Sequence, residues 1–400
     1  MDLQLASTII FVILLSLIVY INRKGIQLQK IFFPLLYFCM YRTRLGIKLM
    51  DSIAGKFKNI LKYISYLGII IGFLGMILIS YGLIDNVYKI ITKPEALPGV
   101  GLVLPFEVKG VFYVPFFYWI ISIFVIAVVH EFSHGIIARY YNMRIKSSGL
   151  AFLGIVIPVV PAAFVEPDED ELKKRPVKEQ LGVFAAGPFS NIALAFIILI
   201  LGGLIASPLV ENIIELNGVK VTGFIKDSEP FPGEKAGITI GETIIGIGNK
   251  EINEIENFSL VLRDKSPGDN IVIKTDKKEY DIVLAKNPEN GSKGYVGVYV
   301  QQNAKIKDKI INRYGSFLPS LILWFTGTPI RNGLIGWLVI LNFGIGLFNL
   351  VPLGPLDGGR MLFAALQKYF KKEKAMRIWK FIGLLFLILI FINIGFAFIR

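Results

Sequence analysis

The sequence predicts a polytopic α-helical membrane protein of about six transmembrane helices with one inserted α+β domain. Hydrophobic residues make up 54% of the 400 residues and the mean hydropathy is +0.60, which is too apolar for a soluble protein of this length. Six apolar stretches are long enough to cross a bilayer. Between the fourth and the fifth stretch, the chain changes to alternating strands, glycine turns and many charges.

The predicted spans are residues 5–21, 64–84, 113–138, 181–206, 331–352 and 380–399. The first has no basic region before it and no small-residue cleavage site after it, so we expect a retained helix rather than a signal peptide. Two apolar segments are too short to span: 31–41, which contains Pro34, and 317–325, which contains Pro319. The sequence leaves both open between an interfacial and a re-entrant position.

Basic residues predict the orientation of these spans. The loop between the first two spans carries nine Lys or Arg residues and one acid, Asp51, which places that loop in the cytoplasm. Alternation then puts both termini and the inserted domain outside the cytoplasm. We attribute most of the net charge of +13 to such loops and to contact with anionic lipid, and expect no nucleic-acid partner.

The chain has only two histidines, and they lie four residues apart within His130-Glu131-Phe132-Ser133-His134. On a helix this spacing places both imidazoles on one face, and imidazole is a common ligand of Zn²⁺. Glu131 lies beside that face, where it can act as a general base. Ionisable groups inside an apolar span are costly and mark functional sites, so a metal site is favoured over a pair of structural histidines. About 26 Å of helix precedes His130, which predicts a site in the inner part of the bilayer.

A third metal ligand has two candidate sources. The fifth span ends in residues 349–359, whose two prolines and three glycines forbid a continuous helix and hold Asp357 near membrane depth. The acidic run 166–171 is predicted on the same side of the membrane, so its carboxylates are rivals. The apolar segment 150–165 before that run is predicted to be a re-entrant strand or loop near the metal. The single cysteine, Cys39, excludes a thiolate cluster and an internal disulfide.

Residues 207–303 are enough for one small domain. Segments 219–225 and 270–275 alternate as period-two strands. A short helix begins at Pro232, and 241–245 returns to strand. No catalytic constellation is apparent in this region.

Three separated motifs resemble those of the site-2 protease family of intramembrane zinc metalloproteases. They are HExxH at 130–134, GPxxN at 187–191 and NxxP…LDG over 349–358. The resemblance implies that His130, His134 and Asp357 bind one Zn²⁺. It also implies that Glu131 is the catalytic base and that Asn349 helps to stabilise the oxyanion. The resemblance therefore favours Asp357 over the acidic run as the third ligand.

The inserted domain resembles the PDZ domains associated with proteases. Residues 232–242 read PGEKAGI…GE and depart from the usual PAxxAGI…GD pattern at Gly233 and Glu242. A PDZ-like domain implies either a peptide ligand bound by strand addition or a barrier against bulky ectodomains. The sequence leaves both roles open.

The resemblance implies an intramembrane zinc endopeptidase that cuts the transmembrane segments of single-span membrane proteins by metal-activated water, in regulated intramembrane proteolysis. The alternative is a non-proteolytic membrane scaffold or adaptor, which would need neither the histidines nor Asp357. A metal transporter is disfavoured because the other spans carry no further histidine or carboxylate cluster. We divide the chain into 1–112 (N-terminal helices and cytoplasmic loop), 113–206 (first part of the catalytic membrane core), 207–303 (PDZ-like domain), 304–365 (second part of the core) and 366–400 (C-terminal helix).

Overall fold

The computed structural model describes residues 3–23, 25–32, 36–93, 96–155, 157–226, 229–288, 290–328 and 331–399. The chain forms two compact units. Unit 1 contains residues 1–199 and 337–400, and unit 2 contains residues 200–336.

The elements are numbered along the chain. The first part contains α1 (Leu3–Ile21), β1 (Ile26–Phe32), β2 (Leu36–Thr43), α2 (Ile47–Lys56), α3 (Lys58–Thr92), β3 (Leu102–Leu104), β4 (Val111–Tyr113), α4 (Phe116–Tyr140), β5 (Ile145–Ile155), β6 (Ile157–Pro167), α5 (Glu169–Lys174) and α6 (Val177–Leu201). A π-helical turn (Gly202–Ala206) is followed by α7 (Ser207–Ile213), β7 (Ile214–Phe224), α8 (Pro232–Lys235), β8 (Thr243–Ile247), β9 (Lys250–Glu251), α9 (Ile255–Arg263), β10 (Asn270–Thr275), β11 (Glu279–Val283), β12 (Ala285–Lys286), β13 (Gly294–Tyr295) and β14 (Val298–Ile306). The last part contains α10 (Asp308–Tyr314), α11 (Phe317–Thr326), β15 (Gly327–Thr328), β16 (Arg331–Asn332), α12 (Leu334–Phe348), α13 (Asp357–Tyr369) and α14 (Lys372–Ile399).

Four helical segments of the described chain are long and apolar enough to cross a membrane: Lys58–Thr92, Phe116–Tyr140, Val177–Ile213 and Lys372–Ile399. They overlap four of the six predicted spans. The other two predicted spans form the shorter apolar helices Ala6–Ile21 and Leu334–Phe348. The second of these ends earlier than predicted, because the stretch rich in proline and glycine begins directly after it and cannot continue a helix.

Buried glycines of α3 bring this helix close to the segments that follow α12. A Cβ on Gly72 would lie 2.6 Å from Met361 Cε, and a Cβ on Gly75 would lie 2.4 Å from Leu350 Cδ1. Small residues at a helix interface allow such close approach. Helix α3 therefore helps to hold α13 and the irregular chain before it, and Asp357 lies at the start of α13.

Unit 1 also contains an antiparallel sheet of four strands in the order β1-β2-β5-β6. The predicted short segment 31–41 thus belongs to the strand pair β1 and β2, and its Pro34 lies outside the described residues. The predicted segment 150–165 forms most of β5 and β6. Strand β6 is at the end of the sheet, where prolines such as Pro161 are tolerated since the outer edge needs no ladder hydrogen bond.

Unit 2 contains a sheet in the order β11-β10-β8-β7-β14, with β9 paired to β8. Strand β10 matches the predicted period-two segment 270–275, β7 covers the predicted segment 219–225 as far as Phe224, and α8 begins at Pro232 as predicted. Alternate residues of β10 are buried, so one face of the strand packs on the core. The core includes Val219, Val221, Ile244, Ile252, Ile273 and Ile282.

The second short apolar segment of the sequence analysis, 317–325, lies in helix α11.

A carboxylate lies in this core. Glu242 is 1% exposed and accepts hydrogen bonds from Thr239, Thr275 and Tyr280. Burial opposes its charge, but the hydrogen bonds outweigh burial and lower the pKa of Glu242 to about 2. Burial and the neighbouring carboxylate raise the pKa of Tyr280 to about 12. Glu242 therefore ties the turn before β8 to strands β10 and β11.

Candidate metal centre

Helix α4 carries both histidines on its buried side. His130 and His134 are each 9% exposed, and their Nε2 atoms lie 3.2 Å apart. The four-residue spacing produces this geometry, because residues i and i+4 of a helix project in nearly the same direction. The prediction that the two imidazoles share one face is confirmed.

Asp357 reaches the histidines because the chain folds back sharply after α12. The Gly358 backbone nitrogen donates to the Asn349 carbonyl at 2.8 Å. A Cβ on Gly358 would lie only 2.1 Å from Leu350 O, and a Cβ on Gly359 only 2.2 Å from Leu353 O. The LDG sequence and its following glycine thus permit a backbone approach that any side chain would block.

The carboxylate of Asp357 faces both imidazoles. Its Oδ2 lies 3.0 Å from His130 Nε2 and 3.3 Å from His134 Nε2. Ligands at about 2.0–2.1 Å from a tetrahedral Zn²⁺ are about 3.3 Å from one another. The three donor atoms therefore have the mutual spacing of three ligand atoms of a zinc site. Among the described residues, these three side chains form the cluster that could hold a metal ion.

Gly187 lets α6 pack directly against the two imidazoles. A Cβ at this position would lie 2.4 Å from His134 Nε2 and 2.6 Å from His130 Nε2. These distances are far below a normal van der Waals contact, so only glycine at this position lets α6 pack this closely against both rings. The donor set of two imidazole nitrogens and one carboxylate fits zinc.

Helix α6 also contacts the far side of each ring. His134 Nδ1 donates to the Val183 carbonyl at 2.6 Å, and Asn191 Nδ2 lies 3.1 Å from His130 Nδ1. Contacts of this kind orient metal-binding histidines and determine which ring nitrogen faces the metal.

Glu131 lies on the same helix, half-buried, and lines a cavity of about 1160 Å³ together with both histidines and Asp357. Its Oε2 accepts a hydrogen bond from the Val165 backbone nitrogen of β6 at 3.1 Å. The sheet of unit 1 therefore orients the predicted base, and its end strand lies next to the site.

Asn349 lines the same cavity. Its Nδ2 donates one hydrogen to the Ile345 carbonyl of α12 at 3.1 Å. An amide nitrogen has two hydrogens, so the second is left for another acceptor in the cavity.

The rival acidic run has structural partners. Asp168 caps α5 by accepting from the backbone nitrogens of Asp170 and Glu171. Glu166 accepts from Ser147 Oγ at 2.7 Å and lies 3.0 Å from Arg42. Asp357, rather than this run, is the carboxylate that the structure brings beside the histidines.

Sequence reasoning placed Val165 only within the segment 150–165 predicted near the metal, and it assigned no role in the site to Val183, Gly187 or Asn191. Val165 and Val183 contribute backbone groups, which leave no side-chain signal. Gly187 and Asn191 belong to the GPxxN motif, to which no role was assigned. The glycine-proline pair inside this apolar helix is the sequence feature that could have indicated close packing here.

Comparison with protein families gives a match of residues 118–390 to peptidase family M50. The uncharacterised protein MJ0971 of Methanocaldococcus jannaschii is 27% identical over 370 residues, which is 90% of this chain and 85% of that protein. The putative zinc metalloprotease SAS1196 of Staphylococcus aureus is 23% identical and covers 66% of this chain and 68% of its own. The zinc metalloprotease RasP of Oceanobacillus iheyensis is 26% identical, covering 52% of this chain and 56% of its own.

Among solved structures, the chain is similar to the PDZ domain of the SdrC-like protein Lmo2051 of Listeria monocytogenes. The identity is 22%, the TM-score is 0.17, and the match covers 24% of this chain and 92% of that domain.

Proposed function

This chain belongs to peptidase family M50 and is a zinc metalloprotease, and we propose from that premise that it cuts substrate proteins within the bilayer. The observation that carries the proposal is the buried group of His130, His134 and Asp357 on apolar helices, with Glu131 in the same cavity. According to this proposal, the substrates are single-span membrane proteins.

Two features support cleavage at membrane depth. The histidines lie toward the end of α4, after a long apolar run of that helix. The described chain holds four helical segments that are long and apolar enough to cross a bilayer. The charge of the loops supports a multi-pass protein with the active site near the cytoplasmic side and the inserted domain outside.

His130, His134 and Asp357 would hold the zinc ion through Nε2, Nε2 and a carboxylate oxygen. When bound, zinc supplies Lewis acidity, which polarises a carbonyl and lowers the pKa of water. Two histidines and one carboxylate form the protein ligand set of catalytic zinc sites, in which a further position is left for water or substrate.

Glu131 takes a proton from the attacking water and later delivers it to the leaving amide nitrogen. The Val165 N–H holds the carboxylate through Oε2, so that Oε1 remains for the water. Asn349 donates its second amide hydrogen to the oxygen that becomes negative when the carbonyl is attacked.

A substrate helix hides its carbonyls in internal hydrogen bonds, so it must unwind before cleavage. Strand β6 ends the sheet and runs beside Glu131, which supports binding of the unwound segment by strand addition to β6. We assign residues 207–303, within unit 2, as a PDZ-like domain that either binds a peptide or excludes bulky ectodomains. The division of the chain at 1–112, 113–206, 207–303, 304–365 and 366–400 is part of this proposal.

The test uses full-length protein in detergent and a single-span substrate, with the variants Glu131→Gln and Glu166→Gln. We expect about one zinc per chain in all three proteins, and cleavage by wild type and Glu166→Gln alone. Mass spectrometry of the products locates the cut. A cut outside the substrate's apolar span would overturn the intramembrane proposal, and cleavage by Glu131→Gln would overturn the assignment of the base.

A further inference from the structure

One stripe of α6 faces both histidines. Val183, Gly187 and Asn191 are spaced by four residues, so they lie along one side of the helix. The first offers a carbonyl to His134, the second lies directly against both rings, and the third faces His130. The GPxxN motif therefore contributes two of the three contacts of α6 with the histidines.

The partners of the two rings differ in kind. A carbonyl only accepts, so the contact of His134 Nδ1 with Val183 fixes the proton on Nδ1 and leaves the Nε2 lone pair for a metal. His130 Nδ1 instead faces the side-chain amide of Asn191 at 3.1 Å. An amide either donates through its nitrogen or accepts through its oxygen.

Asn191 is fully buried, with Nδ2 toward His130 Nδ1. Its Oδ1 has no hydrogen-bond partner among the described residues. In this orientation His130 accepts on Nδ1 and carries its proton on Nε2, where that proton faces Asp357 Oδ2 at 3.0 Å. The Nε2 lone pair is then not available to a metal.

We propose that Asn191 is the positioning residue of His130. A half-turn of its amide presents Oδ1 to Nδ1–H and holds the ring in the tautomer whose Nε2 binds zinc. The imidazole is neutral in both arrangements, and only the place of its proton differs. Oδ1 lacks a hydrogen-bond partner before the half-turn, and Nδ2 lacks one after it. The relative free energy of the two orientations is therefore decided by the contact of the amide with His130 Nδ1. This inference rests on the ligand set proposed above.

The first experiment reads the tautomer directly. Protein labelled with ¹⁵N only at histidine contains two labelled side chains, and both belong to the site. NMR of the zinc-loaded wild type should show the proton on Nδ1 and the metal on Nε2 for both rings. Zinc bound through Nδ1 of His130 would overturn the proposal without any variant.

The second experiment measures zinc affinity by competition with a chromophoric chelator. Asn191→Asp keeps an oxygen acceptor, and Asn191→Leu removes it with little change in size. We expect Asn191→Leu to bind zinc about 10–100-fold more weakly and Asn191→Asp to bind within about threefold of wild type. Cobalt substitution gives a second readout, because its absorption spectrum reports the ligand geometry.

Asn342 provides a matched control within unit 1. It is also fully buried, its Nδ2 donates to the Leu338 carbonyl at 2.8 Å, and its Oδ1 likewise has no partner among the described residues. Asn342→Leu should leave zinc affinity unchanged. Equal weakening of zinc binding by Asn191→Asp and Asn191→Leu, or wild-type zinc affinity in Asn191→Leu, would overturn the role proposed for Asn191 but not the ligand set. A wild type that binds no zinc would instead overturn the ligand set.

Discussion

Glu131 accepts a hydrogen bond from the backbone nitrogen of Val165, with 3.1 Å between Oε2 and N. This contact joins the predicted base on α4 to the end strand of the sheet in unit 1. The base is thus positioned by a backbone N–H group, which of the twenty residues only proline at position 165 would remove.

Proline at position 165 removes that donor and no ladder hydrogen bond, because the N–H points away from β5. A hydrogen bond to a charged group is worth about 1.5–3 kcal/mol, so we expect kcat to fall by about tenfold to a hundredfold in Val165→Pro. Zinc content should stay at the wild-type level. The measurement is kcat and KM with a single-span substrate.

Val165→Ala is the control for this variant, since it truncates the side chain and keeps the N–H. It should retain kcat within a few-fold of wild type. A Val165→Pro enzyme with unchanged kcat, or a Val165→Ala enzyme impaired to the same degree, would show that the N–H does not position Glu131.

Alanine at position 187 tests the close packing of α6 against the histidines. Its Cβ would lie within 2.4 Å of His134 Nε2, so the rings must move apart from their present positions. We expect Gly187→Ala to bind zinc at least about tenfold more weakly and to lose activity in proportion. The chelator competition used for Asn191 measures this change.

Gly82 of α3 is a matched control, because a Cβ there would meet nothing within 4 Å. Gly82→Ala should keep its zinc and gain up to about 1 kcal/mol of helix propensity. Wild-type zinc affinity in Gly187→Ala would show that the close packing of Gly187 against the rings does not hold them for the metal.

Asp357→Asn tests the third ligand against its rival. The substitution removes a charged ligand atom from the buried cluster. Zinc affinity should therefore fall further than the loss of about 10–100-fold that we expect when a residue contacting a ligand is removed. Asp168→Asn is the control, because Asn also caps helices well and α5 should remain. A loss of zinc in Asp168→Asn with retention in Asp357→Asn would reverse the assignment.

The sequence predicts the structural features that depend on neighbouring residues, but it does not predict the contacts between residues far apart in the chain. The shared face of His130 and His134 follows from spacing alone, and the break after α12 follows from its prolines and glycines. The sheet of unit 1 was not predicted, because β2 pairs with β5 across more than a hundred residues and prolines interrupt β6. The contacts of Val165 and Val183 use backbone atoms, whose partners depend on the fold and not on the residue type.

The stability of unit 2 should depend on pH through Glu242. Its pKa of about 2 in the folded chain lies below the value of about 4.3 for an unfolded glutamate. The carboxylate therefore contributes its full stabilisation above about pH 5, and this contribution is lost as the pH falls from about 4.3 through about 2. Hydrogen exchange of β8, β10 and β11 in the full-length protein measures it.

Glu242→Gln removes the charge that three side chains donate to. We expect a loss of about 1.5–3 kcal/mol at pH 7, seen as exchange about tenfold to a hundredfold faster in those strands. The difference between wild type and variant should shrink as the pH approaches 2, because Glu242 is then protonated. Glu229→Gln, which removes an exposed ion pair with Lys235, should change exchange little. A difference that stays constant between pH 7 and pH 2 would mean that Glu242 stabilises unit 2 by packing rather than by its charge.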